Sequence, residues 1–513
     1  MSCVALLLAL AADAATFHVA TDGIDAAERS GESPQSAFKS LAYACERAGE
    51  GDTIRLGRGV HLCTRPAVLK SGQRIVGHGF HGPAANWAIL QADPANWERP
   101  LADANGAFCG KGLEERALIG GRWIENISMW GVKLQSDPAD PETLGTDDRL
   151  PVGIHLQDVD GAEFTTCRFE DFRWAGVYAF VCRNLTFDGC GLVRCSTDRC
   201  RHRGGQLYLN FVRNLEVAHT RFMPARGDGG YGLKGGGLRG ARIHDNTFEP
   251  CYFAIELPHE NEHGVEIDHN EIHGAISIPK GGDASPPQRS GFDLAFDIHH
   301  NLMTDSYGIE GPRNYLHVHH NHVRISKPGG RFYTQFGGHT DGPIWIERNI
   351  IENVDRALVW QREGTTNHLT FRRNTVICAD AAGRNERLFG VWAGDRIADW
   401  TVSDNVIVSP LSYPRTLIRQ ERGVPEQIAI RGNVLIDLAD PPPGNLVVDR
   451  FGGSGRLFER GDRGDIAAFY TPVADGPLID AAGDDIRRVR EDRPDLGAVE
   501  RGEDFGTIGP RPR

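Results

Sequence analysis

Side chains that could transfer protons are concentrated near the middle of this chain. Lys234 lies in a glycine-rich segment, GGYGLKGGG, and Tyr208 lies upstream of it in QLYLN. His202 precedes Tyr208, and Glu256 follows in AIEL. An amine, a phenol, an imidazole and a carboxylate can each act as a general acid or base when burial and neighbours adjust the pKa. We therefore predict Lys234, Tyr208, Glu256 and His202 as the catalytic residues.

The same region is strongly cationic. Residues 194–242 contain ten Lys or Arg against three acidic residues, a net charge of +7, whereas the whole chain carries −13 and the remainder therefore −20. A cationic patch on an acidic body attracts and orients a polyanion. The alternative is a set of surface ion pairs with acidic neighbours. No base-stacking aromatic platform or known nucleic-acid module accompanies the patch. We predict an acidic polysaccharide as partner, and neither nucleic acid nor a membrane.

A repeated pattern indicates how these residues are positioned. It reads apolar, any, apolar, two polar, Asn or a small residue, any, apolar, and it returns at steps of 20 to 35 residues. Such a period is typical of a solenoid with one supersecondary unit per repeat. Eight copies have Asn at the sixth position: Asn246, Asn270, Asn301, Asn321, Asn349, Asn374, Asn405 and Asn433. Earlier copies have Val132, Cys167, Cys190 and Thr220 there.

Each repeat contains a short strand with alternating apolar residues, followed by a tight turn. This predicts an all-β fold, a right-handed parallel β-helix solenoid with an N-terminal capping helix and an irregular C-terminal cap. Asn suits the turn because it tolerates the left-handed backbone region, and its amide can bond the equivalent Asn in the next coil. An interior Asn ladder is therefore expected. A solenoid adds core coil by coil, so its length is not limited to the roughly 300 residues of a compact core.

The two ends of the chain differ from the repeats. An apolar run before Ala12-Asp13-Ala14 predicts a signal peptide. The next segment predicts an amphipathic helix that buries Phe38, Leu41, Ala42 and Cys45 over the open end of the core. No later apolar run reaches the roughly 20 residues of a membrane span, so we predict a secreted or periplasmic protein. The predicted divisions are a signal peptide at 1–14, an N-terminal cap at 15–58, a β-helix at 59–436, and a C-terminal cap and tail at 437–513.

Four of the eleven cysteines lie close together in sequence, namely Cys182, Cys190, Cys195 and Cys200. In an oxidising compartment this spacing predicts one disulfide among them. Cys167 and Cys190 occupy the inward ladder position, where a free Cys behaves as a small hydrophobic residue. No CxxC pair is present in the sequence, which argues against a structural zinc site.

Lys234 is followed about a dozen residues later by Asn246-Thr247-Phe248. This arrangement resembles the catalytic coil of the alginate lyases related to chondroitinase B, which are right-handed parallel β-helices, and the phrase GDTIRL at 51–56 is similar too. The resemblance implies that Lys234 is the base that removes the C5 proton of a uronate. Two departures stand out: Glu256 replaces an Arg of the family, and RGDGG at 226–230 replaces its calcium-binding glutamates. No cofactor is therefore predicted, with calcium as the alternative that the resemblance implies.

β-Elimination beside a uronate carboxylate needs a cation or strong donor for that carboxylate, a base at C5 and an acid for the departing O4. Lys234 could be the base if burial lowers its pKa, and Tyr208 could exchange a proton across the same groove. The alternative for Lys234 is an ion pair with Glu256, which would oppose its use as a base. The predicted substrate-binding residues are Arg203, Arg239, Tyr231, His259, Glu310 and Gln335.

Two other functions fit the sequence. Glu256 and Glu310 fall at similar places two coils apart, hence about 9 to 10 Å from each other at the usual strand spacing. That gap suits the acid and base of an inverting glycoside hydrolase, and Asp293 and Asp297 would add acids on the coil between them. A non-catalytic polysaccharide-binding solenoid is the third alternative. The clustering of Lys, Glu, His and Tyr in the middle coils favours a localised active site.

Six histidines flank the Asn positions, namely His269, His299, His300, His319, His320 and His322. We predict a column of solvated imidazoles from this pattern and no metal site. The sequence has no HExxH, nucleophile-elbow, phosphate-loop or dinucleotide-binding motif.

Overall fold

Three long parallel sheets form the protein. The computed structural model describes residues 14–80, 83–93, 96–97, 117–136, 152–196, 204–224, 230–259, 261–278, 291, 293–304, 308–311, 314–325, 331–340, 342–354, 357–378, 387–391, 396–409, 416–420, 428–436, 438, 441–448 and 510–511. Each complete coil contributes one strand to each sheet, in the order sheet 2, sheet 1, sheet 3. The fold is a right-handed parallel β-helix, which confirms the predicted fold class.

Sheet 1 contains the repeated segment of each coil and has 15 strands. They are Thr16–Val19, Thr53–Leu56, Arg74–Val76, Glu125–Trp130, Asp160–Thr165, Arg183–Asp188, Arg213–Ala218, Arg239–His244, His263–Asp268, Phe296–His299, Leu316–His319, Ile344–Glu347, Leu369–Arg372, Trp400–Ser403 and Ile428–Arg431. Their apolar residues alternate inward because successive side chains of a strand point to opposite faces.

Sheet 2 precedes sheet 1 in each coil and has 14 strands. They are Ala67–Val68, Ala117–Arg122, Val152–Gln157, Ala175–Phe180, Leu207–Asn210, Tyr231–Gly236, Phe253–Glu256, Ala275–Ser277, Ile309–Glu310, Arg331–Thr340, Ala357–Asn367, Arg387–Val391, Arg396–Ala398 and Thr416–Gln420.

Sheet 3 follows sheet 1 and has 15 strands. They are Gly59–Cys63, Ala88–Ala92, Val132–Gln135, Arg168–Glu170, Gly191–Val193, Arg221–Met223, Thr247–Phe248, Glu271–His273, Leu302–Thr304, His322–Arg324, Ile350–Val354, Thr375–Cys378, Val406–Val408, Val434–Ile436 and Leu446–Val448. Sheet 1 thus includes two strands before residue 59, and sheet 3 includes one described strand after residue 436. The predicted signal peptide and most of the predicted C-terminal tail lie outside the described residues.

The Asn ladder is present in the interior. Asn301 donates from Nδ2 to Asn321 Oδ1 at 3.0 Å and to the Ile267 carbonyl at 2.8 Å, while its own Oδ1 accepts from the Asn270 backbone at 3.0 Å. The same bonds recur from Asn246 to Asn433, and all eight Asn residues have no exposed surface. Each amide therefore satisfies backbone groups that the turn would otherwise leave unpaired in the core.

One detail of the turn differs from the sequence-based expectation. The left-handed residue is not the Asn but the residue before it, as with Asp245, whose φ is 55°, and His269, whose φ is 54°. The Asn amide is used in the hydrogen bonds of the ladder. The preceding residue therefore adopts the left-handed backbone conformation that turns the chain. Its side chain points away from the core, where several residue types are accepted.

A short helix covers the open end of the core. Leu41–Arg47 is the one α-helix in the described ranges, and Ser40 caps it by accepting a hydrogen bond from the Tyr43 backbone at 3.2 Å. Leu41, Ala42 and Cys45 are buried, as predicted, whereas Phe38 is buried but precedes the helix and forms a β-bridge with Val19. Short 3-10 helices occupy Pro34–Ser36 and Ala84–Asn86. Among the described residues, no helix has the length and apolar character needed to span a bilayer.

The predicted disulfide is not formed among the described cysteines. Cys182, Cys190 and Cys195 are free thiols inside the solenoid, and Cys200 lies outside the described residues. Cys190 packs in the ladder column beside Cys167, as predicted, and burial raises its pKa well above the usual range. Successive coils bring these sulfurs to core positions where they replace aliphatic side chains.

Candidate functional site

The strand register of sheet 2 aligns one outward column of polar and aromatic side chains. Tyr208 lies between the inward residues Leu207 and Leu209, so it points to the outer face of the sheet. Residues at the same position of successive strands lie one above another. The column consists of His155, Tyr178, Tyr208, Lys234, Glu256, Ser277 and Glu310.

Lys234 is at the centre of this column and is 6% exposed. Its Nζ lies 2.6 Å from Glu256 Oε2 and 4.3 Å from the centre of the Tyr231 ring. Gly205 permits this packing, because a Cβ there would lie 2.6 Å from the Cβ of Lys234. The ion pair that the sequence left as an alternative for Lys234 is therefore formed. An ion-paired ammonium has no lone pair to accept a proton, so Lys234 can act as a base only after it loses a proton.

Tyr208 lies next to Lys234 in an aromatic group. Its ring centre is 5.5 Å from that of Tyr178 and 5.0 Å from that of Trp174. Burial raises the pKa of both phenols, although a hydrogen bond from Asn210 to each of them acts in the opposite direction. The negative charge of Glu256 raises the pKa of Tyr208 further. Both hydroxyls therefore keep their protons near neutral pH and can donate them.

His155 extends the column beyond the tyrosines. Its ring stacks on Tyr178 with 5.4 Å between centres, and it is 3% exposed. Burial and the nearby charge of Arg122 lower the pKa of His155 to about 4, so the imidazole is neutral at physiological pH. Sequence reasoning missed His155, Tyr178 and Asn210. The signal for the first two was their shared position in GIHLQ, GVYAF and QLYLN, once the strand before each repeated segment is aligned.

A cavity of about 480 Å³ lies at the corner between sheets 2 and 1. Arg183, Arg213 and Arg239 line it, and the register of sheet 1 places them in one column on three successive coils. Phe211 also lines the cavity, and the ring of His259 contacts it with 5.1 Å between centres. Guanidinium groups beside an aromatic surface can bind sugars that carry carboxylates.

Two apolar residues at this corner have strained backbones. Val181 and Phe211 have φ angles of 54° and 55°, and both side chains are more than 40% exposed. A β-branched residue in the left-handed region is uncommon and costs conformational energy. The apolar side chains are thus held toward solvent at the mouth of the cavity instead of in the core.

The structure brings together only some of the predicted site residues. Lys234, Tyr208, Glu256 and Glu310 share the column, and Glu256 and Glu310 are separated by one strand, as expected. Tyr231 contacts Lys234 from the same strand. The remaining predictions fall elsewhere: Arg239 and His259 lie at the corner, Gln335 lies on strand Arg331–Thr340 of sheet 2, and His202 and Arg203 lie outside the described residues.

Asp297 does not belong to this column. It lies on the coil between those of Glu256 and Glu310, as predicted, but in the strand Phe296–His299 of sheet 1 and not in sheet 2. The reason is that it belongs to the repeated segment of its coil, and every such segment adds a strand to sheet 1. Asp293 lies just before that strand and is exposed.

Part of the cationic segment is neutralised by ion pairs. Arg194 contacts Asp171 at 2.7 Å, and Arg242 contacts Asp268 at 2.9 Å. Arg221 pairs with Glu249, with its Nε at 3.0 Å. The sequence alternative of surface ion pairs therefore holds for these three arginines. Arg213 and Arg239 instead line the corner cavity.

The histidines do not form a solvated column. His269, His300 and His320 occupy left-handed turn positions, and their rings stack in parallel with 5.0 and 5.1 Å between centres. The side chains of His299 and His319, on the adjacent strands of sheet 1, are only 15% and 16% exposed. Coils of equal pitch stack these rings on one another, which excludes water from their faces.

Comparisons with known proteins concern the fold. No protein-family model matches the chain, and no curated protein matches its sequence. Similar solved structures include the PL6 family alginate lyase AlyGC, with 13% identity, 85% of this chain and 53% of that chain covered, and a TM-score of 0.43. The Yersinia enterocolitica Family 28 exopolygalacturonase has 10% identity, coverages of 81% and 75%, and a TM-score of 0.40. Pectate lyase Pel9A has 12% identity, coverages of 95% and 96%, and a TM-score of 0.32. These likenesses assign no activity to this chain.

Proposed function

We propose that this protein is a lyase that cleaves a uronate-containing acidic polysaccharide, alginate-like, by β-elimination on the outer face of sheet 2. The observation that carries the proposal is the register of Tyr208, Lys234 and Glu256 on three adjacent strands. Adjacent strands are about 4.8 Å apart, so a base and an acid stand side by side across the width of one sugar.

The ion pair of Lys234 suggests how the base is generated. A bound chain displaces water, and a dry site favours the neutral pair over the ion pair. The proton then moves from Lys234 Nζ to Glu256 Oε2 across their 2.6 Å contact. The resulting amine removes the C5 proton of the uronate, and the C4–O4 bond breaks as the C4–C5 double bond forms.

The departing oxygen needs a proton at the same time. The hydroxyl of Tyr208 supplies it, because its raised pKa keeps it protonated in the resting site. Asn210 donates to the phenolic oxygens, which leaves the hydroxyl protons of Tyr178 and Tyr208 for the substrate. After product release, the ammonium of Lys234 returns a proton to Tyr208, and Glu256 returns its proton to Lys234.

The corner cavity provides cations for the rest of the polymer. Arg213 and Arg239 lie one coil apart, so they can bind the carboxylates of sugars outside the reacting subsite. A polymer of this kind lies outside the cytoplasm, and the apolar run at the start of the sequence predicts export. We therefore extend the proposal to a secreted or periplasmic location.

A direct assay tests the proposal. The protein is mixed with alginate, polygalacturonate, hyaluronan and chondroitin sulfate, and absorbance is followed at about 235 nm, where the double bond formed by elimination absorbs. A rise with at least one polymer is expected. Release of reducing sugar without that absorbance would contradict β-elimination.

A glycoside hydrolase is the second candidate. Glu256 and Glu310 are two strand steps apart with Ser277 between them, about 9 to 10 Å at the usual spacing, which suits an inverting mechanism. The ion pair with Lys234 holds the carboxylate of Glu256 away from the role of a free acid or base in hydrolysis. This favours the lyase. Binding of a polymer without any product would instead identify a non-catalytic polysaccharide-binding solenoid.

A further inference from the structure

The outer face of sheet 1 carries a group of metal-binding residue types, well separated in the coil from the column of Lys234. In two adjacent strands, Asp297 pairs in register with His317, and His299 pairs with His319. One ligand atom each from Asp297, His299 and His319 lies within 4.8 Å of the others. These three side chains are 32%, 15% and 16% exposed, so they are ordered by packing and still reachable from solvent.

The contacts orient the imidazole nitrogens. His319 directs Nε2 to Asp297 Oδ1 at 3.0 Å, and His299 directs Nε2 to Glu266 Oε1 at 3.2 Å. The Nδ1 atoms face the other way, toward His320 at 2.7 Å and His300 at 2.8 Å. The Nε2 atom of His319 therefore points to the carboxylate of the group, and the Nε2 atom of His299 points to a carboxylate on the preceding coil, that of Glu266.

His300 and His320, at the turns, contact the imidazoles of His299 and His319 from the side opposite to the carboxylates. Histidines that bind a metal usually donate their other ring proton to a fixed partner, which sets the tautomer. Here the partners are His300 and His320, held in place by ring stacking. When Nδ1 of His299 and His319 carries the proton, the Nε2 lone pairs face carboxylate oxygens. That arrangement is repulsive unless a cation lies between them.

We propose that Asp297, His299 and His319 bind one divalent transition-metal ion, for which Zn²⁺ is the probe. Imidazole and carboxylate together suit Zn²⁺ and its neighbours in the series better than Ca²⁺ or Mg²⁺. Zinc–ligand distances of about 2.0 to 2.1 Å in a tetrahedral site require ligand atoms roughly 3.4 Å apart. Nε2 of His319 and Oδ1 of Asp297 are already 3.0 Å apart, so metal binding would require the imidazole of His299 to turn toward them.

A fourth ligand is available from the same strand as His319. Nδ1 of His317 lies 3.7 Å from Asp297 Oδ1, and the His317 and His319 ring centres are 4.1 Å apart. The ion would connect the coil of Asp297 and His299 to the coil of His319. It would therefore stabilise the stacking of two coils, by mass action on the folded state.

The test uses the full chain freed of metal by a chelator. Titration with zinc sulfate at about pH 7.5 is expected to show one ion per chain, and the melting temperature should rise with zinc. His319→Asn and Asp297→Asn are each expected to weaken binding by about tenfold or more. His368→Asn is the matched control, because His368 also contacts a carboxylate, that of Asp399 at 3.3 Å, but is 48% exposed and not part of the cluster.

Cobalt(II) provides a readout that needs no variant. In a four- or five-coordinate nitrogen and oxygen site it should give visible absorption bands, and Zn²⁺ should remove them by competition. His320→Asn should weaken binding less than His319→Asn, as expected for a positioning residue. Zinc binding that is unchanged in both His319→Asn and Asp297→Asn would overturn the proposal. Cobalt(II) without visible bands in the unaltered protein would overturn it as well.

Discussion

The inside and the outside of one coil follow different rules. Inside, Asn246 makes the bonds that the equivalent Asn makes in the next seven coils. Outside, Lys234 follows Tyr208 on the preceding strand and is followed by Glu256 on the next. Every coil must satisfy the same backbone groups in the core, whereas no such requirement acts on the outer face. Repetition therefore marks residues that hold the solenoid together, and a change of residue type along a column marks candidate chemistry.

Replacement of Lys234 is the strongest test of this difference. Lys234→Ala should reduce turnover by about two to four orders of magnitude, the usual contribution of a positioned base. Substrate binding should change little. The measurement is the initial rate of absorbance increase, with the variant's folding checked by circular dichroism.

Lys133 provides the matched control. Its Nζ lies 2.6 Å from Glu170 Oε2, and both side chains are nearly buried, but this ion pair lies on sheet 3. Lys133→Ala should lose comparable stability and keep full turnover. If both variants lose activity equally, the loss comes from the broken ion pair and not from missing chemistry.

The inside of the coil should respond in the opposite way. Asn301→Ala removes the amide that bonds Asn321, Ile267 and Asn270, and leaves their buried polar groups unpaired. We expect a fall of about 2 to 4 kcal/mol in the free energy of unfolding, measured by urea denaturation. Turnover at low temperature should be unchanged. Thr401→Ala, on the outer face of sheet 1, is the control and should change the free energy of unfolding little.

The periodicity of the sequence predicts the Asn ladder inside the solenoid well. Each ladder residue has the same surroundings as the equivalent residue in the next coil, so the same residue type recurs. The periodicity predicts an outer column only in part, because the register of sheet 2 depends on connections of unequal length between the repeated segments. The shared position of Glu256 and Glu310 was predictable. Asp297 lies on the predicted coil but on sheet 1, because it belongs to the repeated segment and not to the strand before it. His155 was missed because it resembles its neighbours in position and not in residue type.

Glu256 separates the two enzymatic alternatives. In the proposed lyase, Glu256→Gln removes the proton acceptor of Lys234, so turnover should fall by about tenfold to a hundredfold and unsaturated product should still form. A hydrolase that uses this carboxyl would lose all measurable product. The measurement compares absorbance with released reducing sugar for the same samples. Glu310→Gln serves as the second arm, because Glu310 takes part in the chemical step only in the hydrolase and could at most bind substrate in the lyase.

Acid should weaken the outer face of sheet 1. Burial acts to raise the carboxyl pKa of Asp268, but hydrogen bonds from His269 and Arg242 outweigh it and hold the pKa at about 2, against an ordinary 3.8. The corresponding bonds from His317 and Arg372 hold the pKa of Glu347 at about 2, against an ordinary 4.5.

A depressed folded-state pKa adds stability above the unfolded pKa, and that stability is lost as pH falls toward the folded value. Between about pH 4.5 and 2, we expect protonation of each carboxylate to lower the free energy of unfolding by roughly 1 to 2 kcal/mol. Denaturant unfolding as a function of pH measures the loss. Asp268→Asn should flatten the profile, and an unchanged slope in that variant would contradict the assignment.

The smallest effect concerns the arginines of the corner cavity. Charges spread along a polymer are screened over about 10 Å at 0.1 M salt and about 3 Å at 1 M. Arg239→Gln should therefore weaken polysaccharide binding roughly threefold at low salt and hardly at all at about 1 M. Arg221→Gln is the control, since Arg221 is 60% exposed and already paired with Glu249 on the other side of the coil. If the affinity of the unaltered protein for the polymer does not depend on salt, the cavity is not part of the binding surface. The outer column around Lys234 would then bind the polymer through its aromatic rings and hydroxyls alone.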